Sequence, residues 1–117
     1  MARVVIRLDF AHGRRVGPGK VALLEQIEAT GSISAAGRAL GMSYRRAWLL
    51  VEQLNAMFAE PVVTAHPGGA GGGGAALTPF GAQLLRSYRG IETEAQAGAQ
   101  ERLQALEAAL AALPPRA

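Results

Sequence analysis

The sequence predicts a mainly α-helical domain with one small β-hairpin, extended by a long C-terminal helix. Apolar residues recur at three- and four-residue spacing in consecutive segments, which is typical of amphipathic helices that pack together. Two short apolar runs flank the glycine-rich stretch 67–74, which is typical of a hairpin loop. The pair Thr78-Pro79 then opens a segment with no further proline until Pro114, in which a long helix can form.

Composition excludes several functional classes. The chain has 117 residues, half of them hydrophobic, no cysteine and two histidines. Disulfides, thiolate nucleophiles and cysteine zinc sites are therefore excluded, and we predict no catalytic site and no metal site. No apolar run approaches the roughly 18 residues that span a bilayer, and no signal peptide opens the chain. We expect a cytoplasmic protein that is not an enzyme and does not enter membranes.

Charge is distributed unevenly along the chain. Residues 3–89 carry ten cations and five carboxylates, a net charge of +5, whereas residues 90–117 carry a net charge of −2. A basic body with an acidic tail favours a body that binds a polyanion. Arginine preference alone explains a high isoelectric point equally well, so charge does not decide the function.

The N-terminal third is predicted to form a strand, a loop and a helix. In residues 3–10, Val4, Ile6, Leu8 and Phe10 alternate with other residues, the period of a half-buried strand. Residues 11–19 contain three glycines and a proline and are predicted to be a loop. Residues 20–30 form an amphipathic pattern that Gly31 ends.

Two further helices follow, joined by a tight turn. Ser32 is predicted to cap a short helix at 33–40, and Ser43 a third helix from Tyr44 to about Phe58. A helix-turn-helix requires a small residue where its helices cross and a glycine four positions later at the turn. Gly37 and Gly41 meet both requirements.

The C-terminal half is predicted to be a hairpin and a long helix. Residues 61–65 and 75–78 suit two strands, and the helix can run from 79 to 113, with a kink or break at Gly90 or Gly98 left open. Two apolar seams lie on this helix, and a small body cannot bury both of them. We therefore predict dimerisation through one helix from each copy, with packing of the seam at 103–113 back on its own domain as the alternative. The residues assigned to it are Leu84, Tyr88, Ile91, Leu103, Leu106 and Leu110, with Leu113 continuing the second seam.

The order of elements is that of a winged helix-turn-helix. We assign residues 1–78 to this domain, with the helix-turn-helix at 32–58 and the wing at 61–78. Residues 79–113 are the dimerisation helix and 114–117 a tail. An ordinary helical hairpin with solvated arginines is the alternative, and it leaves the glycine-rich hairpin unexplained.

The predicted DNA contacts lie at the start of the third helix. Arg45 and Arg46 are candidates for base and phosphate contacts, because arginine binding guanine is the commonest specific pairing. Ser43 and Tyr44 are candidates for phosphate contacts, with capping or partial packing as the alternative. Arg38 is either a phosphate contact or solvated, and His66 is predicted to lie in the wing.

Several motifs resemble the DNA-binding domain of the molybdate-responsive transcriptional regulators of the ModE family. They are 31–34 (GSIS), 41–44 (GMSY) with Ala47-Trp48, and 68–75 (GGAGGGGA) followed by Leu77-Thr78 and Gly81. A more distant likeness is to the winged helix of LysR-type regulators. The resemblance covers about residues 3–89. It implies a homodimer that binds a palindromic operator in genes for molybdenum uptake or use.

The chain departs from the family pattern in two ways. Family members with an effector domain continue into molybdate-binding modules, whereas this chain ends at Ala117. Molybdate or tungstate therefore stays a candidate effector that is assigned to no residue. The family wing also carries basic residues where this chain has 64–66 (TAH) and Ala70. Wing contacts should rest on His66 and on backbone N–H groups at Gly69 and Gly71.

The sequence thus predicts a homodimeric, sequence-specific regulator that binds double-stranded DNA and controls molybdenum-related genes, with no cofactor and no effector domain in this chain. The alternative is a winged-helix protein-interaction module that works with a separate oxyanion-binding partner, such as a molybdate-binding protein.

Overall fold

A computed structural model describes residues 1–66 and 74–113. It is mainly helical, as predicted, but it has two short antiparallel hairpins where the sequence predicted one. The elements run in the order β1 (Leu8–Asp9), a 3₁₀ turn (Ala11–Gly13), β2 (Arg15–Val16), α1 (Pro18–Thr30), α2 (Ile33–Ala39), α3 (Tyr44–Met57), β3 (Val63–His66), β4 (Gly74–Leu77) and α4 (Pro79–Ala108).

The N-terminal strand is shorter than predicted. Only Leu8 and Asp9 pair with another strand, and their partners are Val16 and Arg15. The expected loop at 11–19 therefore contains a strand and the 3₁₀ turn, and α1 begins at Pro18, two residues before the predicted start. Proline is favoured at the first position of a helix, where its missing N–H needs no partner.

The segment before β1 lies along α4 instead of pairing in a sheet. The Tyr88 hydroxyl donates to the Ile6 carbonyl at 2.7 Å, and the Val4 N–H donates to Gln96 Oε1 at 2.6 Å. Val4, Ile6 and Leu8 are half-buried while the residues between them are exposed. The alternation of apolar residues therefore marks a segment with one buried face. Helix α4 covers that face before β1 begins.

Helices α1, α2 and α3 pack around a common core to which α1 contributes Val21, Leu23, Leu24 and Ile27. At the crossing of α2 and α3, a Cβ added to Gly37 would lie 3.1 Å from the Ala47 Cβ, so a larger residue would separate the helices. Gly41 has a φ of 69°, which favours glycine. The two glycines thus have the roles predicted for them.

The base of the second hairpin is attached to α3 by one side chain. Asn55 Oδ1 accepts from the N–H groups of Val62 and Val63 at 2.7 and 3.0 Å, and its Nδ2 donates to the Val63 carbonyl at 3.0 Å. β3 and β4 pair from Val63–Leu77 to His66–Gly74. The hairpin therefore starts in a fixed position beside α3.

Helix α4 begins where Thr78 accepts from the Gly81 N–H at 2.9 Å, and it runs through Gly90 and Gly98 without a break. It ends at Ala108, earlier than the predicted residue 113. Its last turn tightens, since the N–H groups of Ala109 and Leu110 bond to carbonyls three residues back. Residues 104–113 are exposed, so no packing extends the helix further.

Part of the first predicted dimerisation seam packs into the domain's own hydrophobic core. Leu84 is 7% exposed and Tyr88 fully buried, and both belong to the domain's own hydrophobic cluster. Their assignment to dimerisation was wrong, because α4 uses this face to cover α1 and the N-terminal segment. The rest of the helix extends beyond the body. The radius of gyration is 17.7 Å, against about 13 Å for a compact domain of this length.

Candidate nucleic-acid interface

The outward face of α3 is defined by the face that it buries. Ala47, Leu50, Val51 and Leu54 are buried against the core. Successive residues are about 100° apart around a helix, so the positions opposite this face are 45, 49 and 52. Arg45, Leu49 and Glu52 are all exposed there, at spacings i, i+4 and i+7. Arg46 and Gln53 lie at one edge of this outward face.

Both predicted contact arginines are exposed. The guanidinium groups of Arg45 and Arg46 form no ion pair and no hydrogen bond with any residue in 1–66 or 74–113. The structure separates the two, because Arg45 lies at the centre of the outward face and Arg46 at its edge. The two side chains therefore leave α3 in different directions.

Ser43 caps the helix that carries these arginines. Its hydroxyl accepts from the Arg46 N–H at 3.0 Å, which fixes the first turn of α3. The alternative given for Ser43, capping, is therefore observed. A phosphate contact through the same exposed hydroxyl stays a prediction.

Tyr44 and Trp48 form an edge-to-face pair beside the outward face. Their ring centroids are 6.1 Å apart, and Tyr44 is 59% exposed. Trp48 is half-buried against the core, and its indole Nε1 has no hydrogen-bond partner within the described residues. Tyr44 therefore stays accessible to a ligand, whereas Trp48 packs against the core.

An open groove of about 500 Å³ follows this part of α3. The described residues that line it are Ser43, Arg45, Arg46, Trp48, Leu49 and Glu52. The groove joins the predicted contact residues to Leu49 and Glu52, which the sequence analysis did not assign. Their spacing from Arg45 is the signal that could have identified them.

A second group of cations lies next to Arg46. Partial burial, followed by the positive charges of Arg46 and Arg15, lowers the pKa of the Lys20 ammonium. Lys20 Nζ also donates to the Arg15 carbonyl at 2.9 Å. Asp9 lies 3.9 Å from Arg15, but its closer partner is Arg7 at 2.7 Å. Lys20, which the sequence analysis did not assign, therefore adds positive charge beside the edge of α3.

The other predicted contacts are less closely grouped. Arg38 is exposed on α2 and donates to the Ser34 hydroxyl at 2.9 Å. His66 is exposed at the end of β3, opposite Gly74. Gly69 and Gly71 lie outside the described residues, so their predicted backbone contacts stay predictions.

Helix α4 exposes the second predicted seam. Leu106 and Leu110 are 67% and 73% exposed, and Leu103 is half-buried. Ile91, from the first seam, is 43% exposed. Leu113 is also exposed, and it lies with Leu110 beyond the helix end. Dimerisation through these residues stays a prediction.

An ion-pair network fixes α4 against α1. Arg89 bonds to Glu25 of α1 and, at 2.7 Å, to Glu92 of its own helix. These hydrogen bonds raise the pKa of the Arg89 guanidinium, which stays charged. Arg89 is therefore occupied within the protein, in contrast to Arg45 and Arg46.

The described part of the chain shows no membrane span and no metal cluster. Among residues 1–66 and 74–113, no helix is long and apolar enough to cross a membrane. In the same ranges, no three His, Asp or Glu side chains group to hold a metal ion.

Known proteins similar to this chain include regulators and molybdenum proteins. The chain is 50% identical over 98 residues to the molybdenum-pterin-binding protein MopB of Rhodobacter capsulatus, a match covering 84% of this chain and 35% of that protein. It is 38% identical over 87 residues to the transcriptional regulator ModE of Yersinia pestis, covering 74% of this chain and 33% of that protein. It is 33% identical to the DNA-binding transcriptional dual regulator ModE of Escherichia coli K12, with the same coverage. The chain thus spans about a third of the relatives it matches.

A solved structure confirms the fold. The DNA-binding domain in the crystal structure of the CbnR_DBD–DNA complex superposes with a TM-score of 0.56 at 19% identity, covering 74% of this chain and 95% of that chain. At this identity, the likeness shows the winged helix-turn-helix fold alone. No family model matches the chain.

Proposed function

Since this chain is similar to MopB and ModE over 84% and 74% of its length and has a winged helix-turn-helix fold, we propose that it is a sequence-specific DNA-binding regulator of molybdenum-related genes. It acts without catalysing a reaction, in the cytoplasm, where it binds double-stranded DNA as a homodimer. The observation that carries this proposal is the outward face of α3, on which Arg45 and Arg46 are exposed and unpaired in the described structure.

The contacts divide by position on the helix. Arg45, in the first turn and at the centre of the outward face, donates to base edges in the major groove. Arg46, at the edge of that face, and Lys20, on α1 and close to Arg46, neutralise phosphates beside the groove. Tyr44 and Ser43 donate hydroxyl hydrogen bonds to phosphate oxygens. This division follows from the general rule that phosphate contacts position a protein and base contacts give specificity.

Selection from a random DNA pool tests the proposed function. We expect the purified chain to enrich a palindrome whose half-sites are about 34 Å apart, one helical turn. The selected DNA should compete much better than random DNA at about 0.15 M salt. Equal binding of both would contradict the proposal, and no binding at all would favour the protein-interaction module. Repeating the selection with molybdate and tungstate tests for an effector.

Replacing Lys20 with glutamine should weaken binding to selected and random DNA alike. The plot of log affinity against log salt concentration should also become shallower by about one, because one phosphate contact is lost. The measurement is fluorescence anisotropy titration between 0.05 and 0.2 M salt, a range in which phosphate contacts are resolved.

Two control variants accompany this test. Lys20→Arg keeps the charge and should keep the slope. Arg102→Gln removes an exposed cation from the distal part of α4 and should leave the slope unchanged. A slope in Lys20→Gln equal to that of the unmodified protein would show that Lys20 contacts no phosphate.

Dimerisation is proposed to use the exposed end of α4 and the residues that follow it. Introducing aspartate at both Leu106 and Leu110 should produce a monomer, because two carboxylates cannot be buried in an apolar interface. Analytical ultracentrifugation at several protein concentrations measures this, with Arg102→Ala as an exposed control on the same helix. A double variant that still dimerises would place the interface elsewhere.

A further inference from the structure

Leu49 is an apolar side chain at the centre of a face that the fold leaves uncovered. It is 43% exposed and lies opposite the four residues that α3 buries. Single exposed leucines are common on protein surfaces, so exposure alone carries no functional meaning. The neighbours of Leu49 decide what the side chain can contact.

Those neighbours make a surface that suits base edges better than the phosphate backbone. Arg45 precedes Leu49 by one turn and Glu52 follows it by three residues, and all three line the same groove. A phosphate-binding surface would be uniformly basic, since the Glu52 carboxylate repels phosphates. The major-groove edges of base pairs instead present donors, acceptors and methyl groups side by side. A cation, an apolar group and a carboxylate in one line match that pattern.

The four-residue spacing of Arg45 and Leu49 on α3 sets the distance between the bases that the two side chains contact. Four residues of α-helix rise about 6 Å, and successive bases along one strand lie about 3.4 Å apart. Leu49 therefore reaches bases about two steps from those that Arg45 reaches. In the major groove of unmodified DNA, only thymine presents a methyl group to an apolar side chain.

We propose that Leu49 packs against the C5 methyl group of a thymine about two base pairs from the guanine that Arg45 reads. This inference rests on the proposed function, because it assumes that the outward face of α3 enters the major groove. It adds an apolar contact to the hydrogen bonds of Arg45 as a source of specificity. It also predicts a thymine in each half-site of the preferred operator.

Deoxyuridine tests the inference, because it differs from thymidine only by the missing methyl group. Each thymine of the selected operator is replaced in turn, and the Kd is measured for the unmodified chain and for Leu49→Ala. At one thymine per half-site, the replacement should raise the Kd of the unmodified chain about four-fold, the effect of one buried methyl group. The same replacement should leave the Kd of Leu49→Ala unchanged.

Controls separate this inference from the function that it rests on. Val5→Ala truncates another exposed apolar side chain, far from α3 in sequence, and should respond to deoxyuridine like the unmodified chain. Circular dichroism should show unchanged helix content in Leu49→Ala. If deoxyuridine raises the Kd of both proteins equally, or of neither, Leu49 contacts no methyl group. Selective binding that depends on Arg45 would still support the proposed function. Failure to bind any selected DNA would overturn both.

Discussion

Replacing Arg45 with alanine is expected to weaken binding to the preferred operator about 5- to 150-fold, while binding to random DNA falls much less. The reason is positional, because Arg45 lies in the first turn of α3, at the centre of its outward face, with no carboxylate partner in the described structure. Arginine that binds both acceptors of a guanine contributes discrimination of about 1–3 kcal/mol. Anisotropy titrations with operator and random duplexes measure both affinities.

Arg46 provides the matched comparison, since it is the same residue type one position along the helix. Arg46→Ala should weaken both duplexes to a similar degree and flatten the salt dependence by about one. Arg102→Ala should change neither affinity. If Arg45→Ala lowers both affinities equally, Arg45 contacts phosphate and the assignment of base recognition to it is wrong.

Replacing Gly81 with alanine is expected to destabilise the fold by about 3 kcal/mol, the upper end of the usual cost of overpacking. A Cβ at this position would lie 2.1 Å from the Val62 carbonyl oxygen, a backbone atom that no side-chain rotation can move away. The start of α4 and the backbone just before β3 would have to separate. Chemical denaturation followed by circular dichroism, at one fixed protein concentration, measures the free energy of unfolding.

Gly98 is the control for this substitution, since it lies in the same helix. Nothing lies within 4 Å of a Cβ added at Gly98, so Gly98→Ala should stabilise the protein by up to about 1 kcal/mol through helix propensity. Equal stability of the two variants would show that α4 is not held against Val62 as described.

Features set by local chemistry could be predicted from the sequence. The caps at Ser32, Ser43 and Thr78 each accept the expected backbone N–H, and Gly41 takes the left-handed conformation at the turn. Each depends on residues within four positions along the chain, so no knowledge of the tertiary fold is needed.

Features set by distant contacts could not be predicted. The alternation at Val4, Ile6 and Leu8 correctly indicated one covered face, but periodicity does not say whether a strand or a helix covers it. The hydrogen bond from Tyr88 to Ile6 joins residues 82 positions apart. Likewise, the spacing of Leu84 and Tyr88 on α4 is the same for a seam that faces the domain's own core and for one that faces a partner.

The candidate site was predicted in part for the same reason. Arg45 and Arg46 could be placed at the start of an exposed helix from sequence, because Ser43 and the apolar spacing fix the helix and its buried face. Lys20 could not, since its proximity to Arg46 arises from the packing of α1 against α3. Leu49 was overlooked because exposed leucines carry no signal without their neighbours.

Methylation interference on the selected operator tests most directly whether α3 reads bases in the major groove. Guanine N7 faces that groove, so its methylation blocks an arginine that binds there. The account predicts interference at one or more guanines in each half-site for the unmodified chain, and loss of that interference at one of them for Arg45→Ala. Interference confined to adenine N3 in the minor groove, or a guanine pattern unchanged by Arg45→Ala, would contradict it.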